Sequence, residues 1–180
     1  MKNIFVLCAV LFSVSAFAAN YTDMALEVGF RHQNGDVTGA ETNAKLGYQV
    51  GVTAAFPMAE KVSFRSGLLY TQKNVEAEVG PFKQDLKFTY VEIPLTALFK
   101  FADYGGVYGG LNLSLNLDDD CGTTACTGVE SMTTPIVVGA TFKFAPQLGG
   151  NVYVESLSGD VADGIKNFTA VGANLMVTFD

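Results

Sequence analysis

The feature of this sequence that most constrains its fold is an alternation of apolar and polar residues with a period of two, which runs from Tyr21 to Phe179. Successive side chains of a β-strand point to opposite faces, so this period predicts strands rather than helices. Eight segments carry the alternation: Asp23 to His32, Ala44 to Phe56, Val62 to Lys73, Lys87 to Phe101, Val107 to Leu117, Ile136 to Phe144, Asn151 to Leu157 and Asn167 to Phe179.

One of the two alternating sets is almost wholly apolar and contains no charged side chain. In the first and last segments its members are Met24, Leu26, Val28, Phe30, Val171, Ala173, Leu175, Val177 and Phe179. Only Ser66, Gly109 and Ser156 interrupt the set. The opposite set is polar in every segment. A soluble barrel with an apolar interior would show the same alternation, so the period alone does not decide between water and lipid outside.

The lengths of the connections favour lipid. Short connections follow the second, fourth and sixth segments, at 57–61, 102–106 and 145–150, whereas longer ones occupy 33–43, 74–86, 118–134 and 158–166. Short turns on one side, long loops on the other and an even number of strands are typical of outer-membrane barrels. We therefore predict an all-β fold, an eight-stranded antiparallel up-and-down transmembrane β-barrel, closed because an open strand edge in lipid would leave backbone groups unpaired.

Aromatic residues are expected at the two membrane–water interfaces of such a barrel. They cluster where the segments meet the short connections, at Phe56, Phe99, Phe101, Phe142, Phe144 and Phe179. Phe30, Tyr70 and Phe88 lie near the long connections and predict a second aromatic band. The alternative is a soluble core that is aromatic at its ends.

The N-terminus has the pattern of a secretory signal peptide. Lys2 supplies a positive charge, 4–14 is apolar, and Ala16 to Ala18 gives a small-x-small cleavage pattern. The apolar stretch is shorter than the roughly 20 residues of a transmembrane helix. We predict a signal peptide at 1–18, which would remove Cys8, and a barrel domain at 19–180.

The net charge limits the classes of molecule that the protein can bind. The formal net charge is −7, and removal of Lys2 with the signal would make it more negative. An acidic chain lacks the basic surface that nucleic acid binding requires.

A segment of the fourth strand resembles a known family. Glu92-Ile93-Pro94-Leu95, within 90–101, resembles a strand of the outer-membrane β-barrel domain family, also called porin-family or OmpA-like barrels, and the glycine-rich 107–112 resembles the element that follows it. The resemblance implies an eight-stranded barrel in the outer membrane of a Gram-negative cell, assembled by the barrel-insertion machinery. It implies no shared catalytic chemistry.

Charged residues on the inward face are expected to pair, because eight strands enclose little more than their own side chains. The predicted lumenal ion-pair network consists of Glu27, Arg31, Lys45, Arg65, Lys73, Glu92, Lys100, Lys143 and Glu155. Tyr90, Tyr108 and Tyr153 should fill further volume. The alternative function is a narrow anion-selective path along the basic groups.

The sequence offers little for catalysis. His32, the single histidine, could act as a general base beside a loop serine such as Ser131 or Ser158, as in a lipid-modifying enzyme. No motif assembles a nucleophile, a base and an orienting group. We therefore expect no enzymatic activity and no cofactor.

The longest connection contains Cys121 and Cys126, which are expected to form a disulfide in the oxidising environment reached by export. A metal site would lack the third and fourth ligands of a zinc centre.

The long connections are mostly acidic. They contain Asp36, Glu41, Glu76, Glu78, Asp85, Asp118, Asp119, Asp120, Glu130, Asp160 and Asp163. The run at 118–120 lacks the spacing of a calcium loop, so any cation would bind weakly. The sequence favours a structural or surface-interaction protein, a monomer whose partners are outer-membrane lipid, lipopolysaccharide and an extracellular protein. A small pore, a lipid-modifying enzyme and a soluble periplasmic barrel are the alternatives.

Overall fold

A computed structural model describes residues 23–79, 81–121 and 127–179 of the chain. Its strands are β1 (Asp23–Val37), β2 (Glu41–Ala59), β3 (Val62–Val79), β4 (Phe82–Ala102), β5 (Gly105–Asp120), β6 (Met132–Thr133), β7 (Ile136–Ala145), β8 (Leu148–Ser156), β9 (Asp160–Ala162) and β10 (Ile165–Phe179). The predicted signal peptide at 1–18 lies outside the described residues. Within them, no helix has the length and apolar character needed to cross a membrane.

Eight long strands form one closed antiparallel ring. Each pairs with the next, and β1 closes the ring by pairing with β10 in a register that begins at Met24 and Phe179. The short β6 adds to β5, and the short β9 adds to β10. The predicted eight-stranded up-and-down architecture is confirmed. The ring leaves no long edge whose backbone groups would lack partners.

The two faces of the ring have the predicted orientation. The apolar set points outward, where Phe30 is 63% exposed and Val171 is 58% exposed. Glu27 and Glu92 point inward and are both 0% exposed. A soluble barrel with an apolar core would have the opposite orientation, so the apolar exterior matches lipid.

The strands of the first two hairpins are longer than predicted. Most of 33–43 and 74–86, which the sequence assigned to loops, belongs to β1 to β4. Along β3 the inward set changes from the polar Arg65 and Lys73 to the apolar Val75 and Ala77. The sheet therefore continues beyond the apolar belt with its polarity reversed, because its outer surface there faces water.

The reversed section encloses an apolar cluster, here called the outer cluster. It consists of Val75, Ala77, Leu86, Phe88, Tyr90, Cys121, Val161, Ala162, Ile165 and Phe168. The assignment of Phe88 to an outward aromatic band was wrong. Phe88 is 0% exposed and packs edge-to-face on Phe168, with ring centroids 6.1 Å apart. Phe88, Tyr90 and Glu92 are alternate residues of β4, so their side chains point to the same side of the sheet, which is the inside.

Pro94 lies in the middle of β4, where a proline removes a ladder hydrogen bond. The ladder between β3 and β4 has no pairs from Ser66 to Leu68, yet the register is the same on both sides of this gap. Lys100 donates its backbone N–H to the carbonyl of Lys61, the residue before β3. In an antiparallel strand, the backbone N–H and C=O groups of every second residue face the same neighbour. The backbone nitrogen of Pro94 therefore faces β3, as that of Lys100 does, and lies opposite Gly67. The structure thus accommodates the proline by a local gap without a bulge.

Substituting Pro94 with valine should close this gap. The new amide would lie opposite the Gly67 carbonyl in a register that is already correct. We expect its proton to exchange with deuterium as slowly as that of Thr96, which points the same way. Hydrogen exchange followed by NMR in micelles measures this, and rapid exchange at position 94 would show that the strands are truly separated there.

Candidate functional site

The centre of the lumen holds four buried charges, here called the central quartet: Arg31, Lys73, Glu92 and Glu155. Each side chain is at most 3% exposed. Arg31 Nη2 lies 2.6 Å from Glu155 Oε1, and its Nη1 lies 3.7 Å from Glu92 Oε2. Lys73 Nζ lies 2.8 Å from Glu92 Oε1 and 3.0 Å from Glu155 Oε1. Both cations contact both carboxylates, and the quartet is neutral as a whole.

Neutral side chains add hydrogen bonds to the two carboxylates of the quartet. Thr71 and Ser114 donate to Glu92 at 3.0 and 2.9 Å, and Asn112 donates to Glu155 at 2.9 Å. The Lys73 ammonium also lies 4.9 Å from the centre of the Tyr90 ring. Arg31 Nε and Nη1 are buried without a hydrogen-bond partner, so the guanidinium is held by the hydrogen bond of its Nη2 to Glu155 and by its charge contact with Glu92.

A second ionic group lies nearer the short turns. Arg65 Nη2 donates to Glu27 Oε1 at 2.5 Å, and the guanidinium carbon lies 4.9 Å from the Tyr108 ring centre. Glu27 also accepts hydrogen bonds from Thr53, Asn151 and Asn174. This buried pair is separate from the quartet.

The structure brings six of the nine predicted network residues into these two groups and places the other three elsewhere. Lys45 pairs with Glu76 at 3.0 Å and Asp85 at 2.6 Å on the outer hairpins. Lys100 pairs with Asp23 at 2.8 Å near the short turns. Lys143 is exposed and has no ion pair within 4 Å among the described residues. These three lysines lie toward the ends of the barrel, where water reaches them, so they do not join the ion pairs around Glu27, Glu92 and Glu155 as predicted.

The sequence did not identify the neutral partners of the carboxylates. Thr53, Thr71 and Asn151 are buried on the inward face. The period of two predicts that these three side chains point inward. Which carboxylate each would contact depends on the cross-strand register, which the period does not give.

The sequence of residues 10–155 matches the family described as outer membrane protein beta-barrel domain. The chain is an outer membrane β-barrel protein. No curated protein sequence matches it significantly. Solved barrels of the same fold include Ail, the attachment invasion locus protein of Yersinia pestis, with 10% identity and a TM-score of 0.55 over 89% of this chain and 100% of Ail.

Two further solved barrels are similar to this outer membrane protein. Neisserial surface protein A has 15% identity and a TM-score of 0.58, covering 89% of this chain and 100% of that one. OprG from Pseudomonas aeruginosa has 14% identity and a TM-score of 0.51, covering 87% and 93%. At these identities the likeness shows the fold, and together with the family it places the protein in the outer membrane.

His32 of this outer membrane barrel points outward. It is exposed on β1, opposite Leu46 on one side and Val171 on the other. Ser131 and Ser158 are also exposed. His32 therefore lies on the outer wall near the water-exposed hairpins, outside the lumen.

Cys121 is disulfide-bonded and belongs to the outer cluster. Cys126 lies outside the described residues, so the pairing of these two cysteines stays a prediction. The N–H donated by Gln84 to the Cys121 carbonyl ties the start of this loop to β4.

The ion pairs on the outer hairpins give a titration prediction. The hydrogen bond from Lys45 holds the pKa of the Glu76 carboxyl below its usual value, and Asn43 and Lys83 add to the effect. We expect Lys45→Gln to raise the pKa of Glu76 toward that of a free glutamate. NMR titration of the carboxyl carbon measures this. Any stability from the pair is present above the usual glutamate pKa and is lost as the pH falls through the lowered one. An unchanged pKa in the variant would mean that the pair does not form in solution.

Proposed function

We propose that this protein is a non-conducting barrel with a structural or surface-interaction role in the outer membrane, presenting acidic outer hairpins and loops to a partner. The observation that carries the proposal is the combination of the central quartet with the outer cluster above it. These two layers differ in chemistry and lie in series along the lumen.

The central quartet supports a blocked lumen because its two cations and two carboxylates pair with one another. An ion passing through would have to replace Arg31 or Lys73 as the partner of a buried carboxylate. Breaking one member out of such a group typically costs about 3–5 kcal/mol. Eight strands leave no spare cross-section beside these side chains.

The outer cluster supports the same conclusion by a different mechanism. It joins side chains of β3, β4 and β10, including Phe168, with Val161 and Ala162 of the short β9 and with Cys121 after β5. Apart from the Tyr90 hydroxyl and the Cys121 sulfur its side chains are hydrocarbon, and transfer of an ion into an apolar region is strongly unfavourable.

The outer surface supports an interaction role. Acidic residues predominate at this end, and Lys45, Lys83 and Lys87 there already pair with carboxylates. Ail has been crystallised with the heparin analogue sucrose octasulfate. A sulfated polyanion would be repelled by the acidic hairpins of this chain, so we propose a cationic protein partner or lipopolysaccharide bridged by divalent cations.

Planar-bilayer recording tests the blocked lumen. We expect the purified protein to give no stable unitary currents. A matched variant, Phe88→Ala with Phe168→Ala, removes the edge-to-face pair and tests whether the quartet alone still blocks conduction. Stable currents from the wild-type protein would establish the alternative of a small pore.

Binding to lipopolysaccharide vesicles tests the surface role. We expect binding that needs millimolar magnesium and that weakens when Asp118, Asp119 and Asp120 are changed to asparagine. A His32→Ala variant should match the wild type in any lipid-hydrolysis assay, in keeping with a protein that is not an enzyme. Hydrolysis that disappears in this variant would replace the proposal with an enzymatic function.

A further inference from the structure

A pocket of about 90 Å³ lies inside the barrel at its short-turn end. The exposed Asp103 and Tyr104, in the turn between β4 and β5, line it, so water reaches the pocket from this side. In outer-membrane barrels the short turns face the periplasm. The pocket has room for several water molecules, and therefore for solutes of similar size.

Met176 of β10 lines this pocket and is half-buried. It belongs to the inward set of its strand, between the buried Asn174 and Thr178, and it lies opposite Glu27 of β1. Methionine usually fills gaps between apolar side chains. The thioether of Met176 lies instead beside polar groups of the lumen.

Two of these polar groups contact the sulfur. Asn151 Nδ2 lies 3.3 Å from Met176 Sδ, and Thr141 Oγ1 lies 3.6 Å from it. A hydroxyl has a single proton, and the Gly150 carbonyl accepts that of Thr141 at 3.3 Å. The Asn151 amide is therefore the donor that the sulfur keeps.

The orientation of the Asn151 amide is fixed by its other contacts. Its Nδ2 donates one N–H to Glu27 Oε2 at 3.0 Å, and an ionised carboxylate can only accept. Its Oδ1 accepts from Asn174 at 3.2 Å and from Tyr108 at 3.5 Å. Exchanging the nitrogen and the oxygen would break the bond to Glu27, so the second N–H of Asn151 points to the sulfur of Met176.

This contact leaves one side of the sulfur reactive. A thioether sulfur has two lone pairs, and it is a weak acceptor. The N–H of Asn151 engages one lone pair, and the other is free toward the pocket that Met176 lines. Each lone pair gives a different epimer of the sulfoxide when it is oxidised. An oxidant in the pocket therefore meets the lone pair that leads to one epimer only.

We infer that Met176 is a site of oxidation by hydrogen peroxide, which enters through the short-turn mouth and gives a single sulfoxide epimer. The free lone pair of the sulfur forms the S–O bond as the O–O bond of the peroxide breaks. The sulfur loses two electrons, and the leaving hydroxide takes the proton of the transferred oxygen and departs as water. The product has a polar S–O group beside Glu27, and methionine sulfoxide reductases, one for each epimer, restore the thioether.

Peroxide treatment of the mature protein in uncharged maltoside micelles tests the site. After digestion, mass spectrometry follows the gain of one oxygen in the peptides of Met176 and of Met58, which is 72% exposed and serves as the free methionine. Incubating the peptides with a reductase specific for each epimer then gives the epimer ratio. We expect equal epimers at Met58, and at Met176 an excess of one epimer of roughly fivefold, the ratio that one hydrogen bond supports.

Three controls relate the result to the pocket. In urea, wild-type Met176 should give equal epimers, because the contact with Asn151 is lost. Ala25 is 4% exposed and lines the pocket, so Ala25→Leu should slow the oxidation of Met176 severalfold and leave that of Met58 unchanged. Ala173→Leu makes the same change on the exposed outer face of β10 and should alter neither rate.

The site is refuted if Met176 stays reduced in the folded barrel while Met58 is fully oxidised, or if the two epimers of Met176 are equal there. An excess that persists in urea would assign the ratio to the local sequence and overturn the role of Asn151. An unchanged rate in Ala25→Leu would overturn the entry of peroxide through the short-turn mouth.

Discussion

Glu92→Gln is expected to lower the free energy of unfolding by about 3–5 kcal/mol, the usual effect of breaking a fully buried ion pair. Glu92 is 0% exposed and contacts Lys73 at 2.8 Å and Arg31 at 3.7 Å. The amide keeps the shape of the carboxylate but leaves the quartet with one uncompensated positive charge. Urea unfolding in micelles, followed by circular dichroism, measures the loss.

Two further variants make this test specific to charge. Glu130→Gln, an exposed outer residue, should change stability little. Adding Lys73→Met to Glu92→Gln restores neutrality, so the double variant should recover part of the loss even though two polar groups have been removed. If Glu92→Gln alone has the stability of the wild type, the quartet is hydrated in solution and the case for a blocked lumen loses its main support.

The sequence predicted the ring of strands because one physical requirement, apolar side chains toward lipid, applies at every second position. Along β1, Met24, Leu26, Val28 and Phe30 all satisfy it. The closure of the ring also followed, since an open edge is unfavourable in lipid. Neither inference requires knowledge of which residues touch.

The same rule, apolar side chains outward at every second position, could not predict where the strands end. Beyond Lys73 the period of two continues, but Val75 and Ala77 point inward and Glu76 and Glu78 point outward. A rule that expects apolar residues outside assigns this stretch to a loop. To assign this stretch to a strand, one must know the position at which the surroundings change from lipid to water. With that position known, the sequence would have predicted the outer cluster.

Which charged residues pair depends on the register between strands, and the alternation of polar and apolar residues does not give that register. The strand pair β2–β3 shifts register between Ala44 and Tyr48. Beside this irregularity, Lys45 contacts Glu76 and Asp85 on the outer hairpins. In the quartet, Arg31 and Glu92 have cross-strand partners on both sides, and Lys73, although it lies within the same irregularity, keeps its pairing with β4. Inward parity was sufficient to place these residues in the lumen, but it did not show which charges would pair.

Leu113→Arg is expected to lower the free energy of unfolding by roughly 2–4 kcal/mol, the usual effect of a lipid-facing arginine at the bilayer midplane. Leu113 lies in the outward set of β5, between Leu111 and Leu115, and opposite Ile93 of β4. Its neighbours on the surface are apolar, so the guanidinium would have to be hydrated within the hydrocarbon region or bend far toward an interface. Unfolding in phospholipid vesicles measures the loss.

Leu117→Arg is the matched control, because it places the same side chain on the same strand and the same face. Leu117 is 57% exposed and lies two residues before Asp119, at the outer end of the apolar belt. An arginine near the interface costs only about 0–1 kcal/mol. The difference between the two variants therefore reports depth in the membrane, independently of helix or strand preference and of side-chain size. Equal losses at both positions would mean that the apolar belt around β5 is not centred on Leu113, and the placement of the bilayer on this barrel would have to change.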